Sequence, residues 1–74
     1  MNYNLGNVYV VAKMFVDFSG KIAPEVNVPE IIRLAQNSEP IQVVAGAACA
    51  GMKNVEPKEI VRYLNRMGYE EKGV

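Results

Sequence analysis

The sequence has no histidine, no tryptophan, a single cysteine among 74 residues, and no net charge, with eight basic side chains against eight acidic. Without histidine the chain lacks the commonest general base and the commonest metal ligand. One cysteine cannot close an internal disulfide, so no covalent framework supports the fold, and a reducing, cytoplasmic setting is expected. Long hydrophobic runs are also missing. Lys13 and Asp17 interrupt the first apolar stretch, and no basic residue precedes it, which makes a poor secretory signal. The second, from Pro40 to Met52, falls short of the roughly 20 residues that a spanning helix needs. No membrane partner is expected. Half of the residues are nonetheless apolar, so the chain is a folding sequence, and its length allows one domain with one small core over residues 1–74.

Three helix starts share one grammar. Asn27-Val28-Pro29-Glu30 sets a capping amide three residues before a carboxylate, with proline in the first turn. Ser38-Glu39-Pro40 and Asn54-Val55-Glu56-Pro57 repeat the pattern, with Ser38 and Asn54 as caps. These signals predict helices near 28–37, 39–52 and 56–68, with Gly68 as the left-handed residue that ends the last. Apolar stripes at three- and four-residue spacing agree: Val28, Ile31, Ile32 and Ala35; then Ile41, Val44, Ala45, Ala48 and Met52; then Ile60, Leu64 and Met67, flanked by Val61 and Tyr63. Residues 69–74 read as a flexible tail.

Residues 5–19 are ambiguous. At period two, Val8, Val10, Ala12, Met14, Val16 and Phe18 line one face of a strand. At period 3.6, Val8, Val11, Ala12, Phe15 and Phe18 or Ile22 form a helical stripe, with Asn4 as a cap and Gly20 as a stop. The helical reading is preferred, because period-two matches are easy to find where nearly every residue is apolar, and the only internal partner for a strand, Glu25 to Val28, is short and lies between Pro24 and Pro29. The expected fold is therefore mostly α, a small bundle of three to four short helices, with an α+β arrangement as the alternative.

No motif carries catalysis. Gly46 and Gly51 have the glycine spacing of a phosphate-binding loop, but Met52 stands where the lysine is needed, Lys53 comes one residue late, and Asn54 has no hydroxyl. Cys49 lies among alanines with no histidine to activate it, so a buried, inert thiol is expected. The carboxylates Glu56, Glu59, Glu70 and Glu71 suggest neither a metal cage nor an acid–base pair. No enzyme activity, cofactor or metal is expected.

Two features point to binding. Tyr9, Val10, Met14 and Val16 add apolar surface to the first segment beyond what one small core absorbs, which favours an interface and a two-fold homodimer. Lys58, Arg62 and Arg66 recur every fourth residue as a basic stripe, adjoined by Tyr69. Glu59 with Arg62 and Arg66 with Glu70 are candidate ion pairs on that face. The zero net charge divides unevenly: residues 53–69 carry +2, while residues 1–52 and the tail carry −1 each. The small residues Gly46, Ala47, Ala50 and Gly51 predict a close-packed helix face.

The preferred function is thus a small, non-enzymatic interaction or regulatory protein that acts on a macromolecular partner, with a protein favoured. One alternative is a helix-turn-helix-like nucleic-acid binder that uses the basic stripe, and a second is a structural homo-oligomer.

Overall fold

Residues 5–72 of the computed structural model are described. Among them are four α-helices: α1 (Leu5–Asp17), α2 (Val28–Gln36), α3 (Ile41–Ala50) and α4 (Pro57–Arg66). A single 3₁₀ turn, Ser19–Lys21, follows α1. The chain is mostly helical, as its apolar periodicity predicts. α3 packs chiefly on α4 and α1 chiefly on α2, while α2 joins α3 and α1 leans on α4, so the four helices surround one core.

The first segment is a helix. Its inward residues are Asn7, Val10, Val11 and Met14, at the i, i+3, i+4, i+7 spacing of one helical face. This face is turned away from the predicted stripe, of which only Val11 is buried; Ala12 is exposed, and Val8 and Phe15 are half-buried. Asn7 sets the rotation. Its side chain is fully buried and hydrogen-bonded, so the helix points an amide inward where apolar counting puts it outside. The candidate cap Asn4 lies outside the described residues. Gly20 sits within the 3₁₀ turn and is not a left-handed stop.

The predicted caps divide two ways. Asn27 accepts a hydrogen bond from the Glu30 N–H at 3.1 Å, as a cap should. The Glu30 carboxylate does not close a capping box and instead takes a bidentate bond from Arg33, with Nε to Oε2 at 3.0 Å. Ser38 and Asn54 cap nothing. Both are left-handed, at φ 54° and 57°. Ser38 ends α2 in a Schellman motif, in which its N–H donates to Ala35 O and that of Glu39 donates to Leu34 O, both at 3.1 Å. α3 accordingly starts at Ile41 rather than at 39. Its first N–H donates to Glu71 Oε1 at 2.6 Å, so a carboxylate from the far end of the chain caps it. α4 ends in the same motif as α2, with Gly68 at φ 86° as predicted.

The segment after α4, expected to be flexible, is tied down through residue 72. Tyr69 is buried, and its hydroxyl donates to Glu39 O at 2.7 Å. The backbone of Glu70 exchanges two hydrogen bonds with the Asn7 amide. Lys72 N donates to Ser38 O at 2.8 Å, and its ammonium pairs with Glu39. This strap lies across the α2–α3 turn and the start of α1.

On the opposite side, the two longer linkers meet in one antiparallel bridge between Ile22 and Met52, where Ala23 N donates to Gly51 O at 2.8 Å and Lys53 N to Lys21 O at 2.7 Å. Gly51 is the one member of the predicted close-packed face that another backbone approaches: a Cβ there would lie 2.5 Å from Val26 Cα. Ala47 is half-buried, whereas Gly46 and Ala50 face solvent, because the helix turns Ala45 and Ala48 inward instead. Gly51→Ala is expected to destabilise the fold by about 1–3 kcal/mol through overpacking. Gly46→Ala, with open space around its Cβ, is expected to stabilise it by roughly 0.5–1 kcal/mol. Urea denaturation of the two variants checks both signs; a neutral Gly51→Ala would mean that the Val26 backbone yields freely.

Candidate interaction surfaces

With Asn7, Val10, Val11 and Met14 turned inward, α1 presents Leu5, Tyr9, Ala12 and Val16 outward, spaced i, i+4, i+7 and i+11 along one side. Leu5, Tyr9 and Val16 are 71%, 65% and 66% exposed, the three most exposed large apolar residues among those described. A helix that is apolar all round is ordinarily enclosed on every side, and this one is enclosed on one. Its only charges, Lys13 and Asp17, pair with each other at 3.0 Å.

This arrangement corrects the predicted face. Tyr9 and Val16 are on the surface as expected, but Val10 and Met14 belong to the core. Tyr69 is also buried, since the strap turns its ring inward. Leu5 and Ala12 complete the outward stripe and were not predicted; their 4-3-4 spacing with Tyr9 and Val16 was the available signal.

The second surface is the outer side of α4, where Lys58, Arg62 and Arg66 are all exposed. Pro57 at the first helical position and an inward Ile60, Tyr63 and Leu64 fix this orientation. The Arg66 guanidinium lies 5.3 Å from the centre of the Tyr63 ring, a cation–π geometry. Tyr63 in turn packs against Phe18 in a T-shaped pair, with ring centres 5.4 Å apart, and donates a 2.6 Å hydrogen bond to Asp17 Oδ2. That bond, together with the one from Lys13, holds the Asp17 carboxyl below its ordinary range. Lys58 pairs at 3.3 Å with Glu56, both side chains about two-thirds exposed. Arg62 joins none of the ion pairs between described residues, and neither Glu59–Arg62 nor Arg66–Glu70 forms.

Grooves flank this helix. One is lined by Gln42, Pro57, Lys58, Val61 and Arg62. Another, lined by Phe18, Glu59, Arg62, Tyr63 and Arg66, lies beyond Arg62, which borders both. The link between α3 and α4, residues 51–56, is longer than the three- to four-residue turn of a compact helix-turn-helix, and Glu56 stands at the start of α4. Cys49 is half-buried, and burial, followed by the charge of Glu59, raises its thiol pKa, which is the environment of an unreactive cysteine. Among the described residues no three cysteine, aspartate or glutamate side chains gather as a metal set, and no helix is long and apolar enough to cross a membrane. Comparison with known proteins finds no family model, curated protein or solved structure that matches this chain.

Proposed function

We propose that this chain is a small, non-enzymatic interaction protein of a reducing compartment such as the cytoplasm, which pairs with a second copy through α1 and presents α4 to a macromolecular partner. The observation that carries this reading is the outward face of α1. A two-fold interface needs a surface complementary to itself. Leu5, Tyr9, Ala12 and Val16 are symmetric about the midpoint between Val10 and Val11, so antiparallel pairing sets Leu5 against the second copy's Val16, and Tyr9 against its Ala12. The stripe bears no charge to oppose its own image. A helix of 13 residues is about 20 Å long. Contact along that length alone belongs with the smaller interfaces, and a dissociation constant in the micromolar range is expected.

Light scattering or sedimentation over a concentration series tests the reading. The wild-type chain should pass from monomer to dimer as concentration rises, and Tyr9→Glu should remain monomeric with an unchanged circular dichroism spectrum, since Tyr9 lies outside the core. A wild-type chain that stays monomeric at high micromolar concentration, or a Tyr9→Glu variant that dimerises equally well, would remove α1 as the interface.

A further inference from the structure

We infer that the groove between α3 and α4 binds an acidic protein segment carrying one apolar anchor, an assignment that rests on the reading of this chain as an interaction protein and names the chemistry of its partner. The groove has an apolar floor, Pro57 and Val61, and a cationic rim, Lys58 and Arg62, with the Gln42 amide at its α3 side. Lys58, Arg62 and Arg66 follow one another at four-residue steps, about 6 Å each along the helix. Carboxylates at the same spacing on a partner helix would meet them in register.

The rim is open to such a partner. Arg62 has no ion pair with any described residue, and Lys58 is held only by an exposed pair with Glu56, the kind that competes weakly with an incoming carboxylate. Arg66 lies beyond the groove, on the far side of Arg62, and is already oriented by the Tyr63 ring, which lowers the ordering cost of a bond from a partner that runs on along α4. An apolar side chain seated on Pro57 and Val61 would exclude water beside Arg62 and strengthen the charged contacts around it.

Phosphate backbones fit the same surface less well. Nucleic-acid affinity grows with the number of phosphates neutralised, and here Glu56 precedes α4 and Glu59 stands on it beside the three cations, in a chain without net positive charge. An apolar floor also offers a sugar–phosphate strand nothing that a protein anchor would not use better.

Panning a random dodecapeptide library displayed on phage tests the assignment, using the full chain and the variant Lys58→Glu/Arg62→Glu/Arg66→Glu, whose altered positions are all exposed. Circular dichroism establishes that the variant is folded. The wild-type chain should enrich peptides with aspartate or glutamate at three- or four-residue intervals around a leucine, isoleucine, methionine or phenylalanine. The best of these, made with a fluorescent label, should bind the variant roughly tenfold or more weakly by polarisation. Enriched peptides with no acidic bias, or equal binding to both chains, would overturn the proposal. So would enrichment of no peptide at all, and retention of a random DNA duplex at low salt would then assign the face to nucleic acid. Light scattering of both chains runs beside these assays: a wild-type dimer that enriches no acidic peptide refutes only the groove, whereas a wild-type chain that stays monomeric refutes the α1 interface.

Discussion

Asn7→Leu is expected to lower the unfolding free energy by about 3–5 kcal/mol, a large share of the roughly 4–11 kcal/mol that a chain of this length commands. Leucine has as many side-chain heavy atoms as asparagine and is somewhat bulkier, so no cavity opens and the loss comes chiefly from the polar groups. The Asn7 Nδ2 donates to Glu70 O at 2.7 Å and to Ser38 Oγ at 3.2 Å, while Oδ1 accepts from Glu70 N at 2.8 Å. One amide thus satisfies both backbone groups of a residue 63 positions away. Leucine removes these hydrogen bonds at once, each worth about 0.5–1.5 kcal/mol net, and sets an apolar side chain against the polar groups they joined. Asn7→Asp distinguishes this account from a packing effect. A carboxylate still accepts from Glu70 N but has no proton for Glu70 O, so the Asn7→Asp variant should be strongly destabilised at neutral pH and less so in acid, where the carboxyl regains a donor. Guanidinium denaturation at two pH values measures both, with unchanged m-values showing that the unfolded states are comparable. An Asn7→Leu variant within about 1 kcal/mol of the wild type would mean that water replaces the amide.

The legible part of the fold is the part written in local periodicity. Ile41, Val44, Ala45 and Ala48 recur at helical spacing and are all buried in α3. Ile60, Tyr63 and Leu64 do the same in α4. In α2 the predicted stripe contains Ile31 and Ala35, but Leu34 replaces Val28 at the core, because nine residues give too few turns to fix the angle. Caps are legible only as a class. Asn27, Ser38 and Asn54 are all short polar residues before a proline, and such side chains serve equally at an N-cap and in a left-handed turn. Only Asn27 caps a helix; Ser38 and Asn54 turn the chain.

The surfaces were half legible for a related reason. The basic stripe of α4 follows from spacing alone, since the opposite face of that helix is plainly apolar. α1 has no polar face to orient it, and the one residue that does orient it, Asn7, is a polar group directed inward by a hydrogen bond to Glu70. Such long-range pairing leaves no trace in periodicity. The same holds for the strap: Tyr69, Glu71 and Lys72 look like the charged end of a chain until their partners Glu39, Ile41 and Ser38, each some thirty residues earlier, are in place.

Tyr69→Ala is the matching test from the strap side, with an expected loss of about 3–5 kcal/mol. Tyr69 is 7% exposed and its hydroxyl donates to Glu39 O at 2.7 Å. Truncation therefore removes aromatic burial and a hydrogen bond, and it frees the backbone that carries the Glu71 cap of α3. Tyr69→Phe keeps the ring and should cost only about 1 kcal/mol. The phenol also makes stability depend on pH in alkali. Burial, and then the charges of Glu39 and Glu71, push its pKa up from 10.0 to about 12. Tyr63 is likewise raised to about 12, by burial first and then by its hydrogen bond to Asp17. For both, the unfolded chain gives up its proton first. Their contribution is therefore complete below pH 10 and is lost as pH rises from there through about 12. Melting temperatures of the wild type should fall across that window. In Tyr63→Phe/Tyr69→Phe the fall should be much smaller, although its Tm at pH 8 starts lower. A double variant with the wild-type alkaline slope would show that these two hydroxyls are not the groups that titrate.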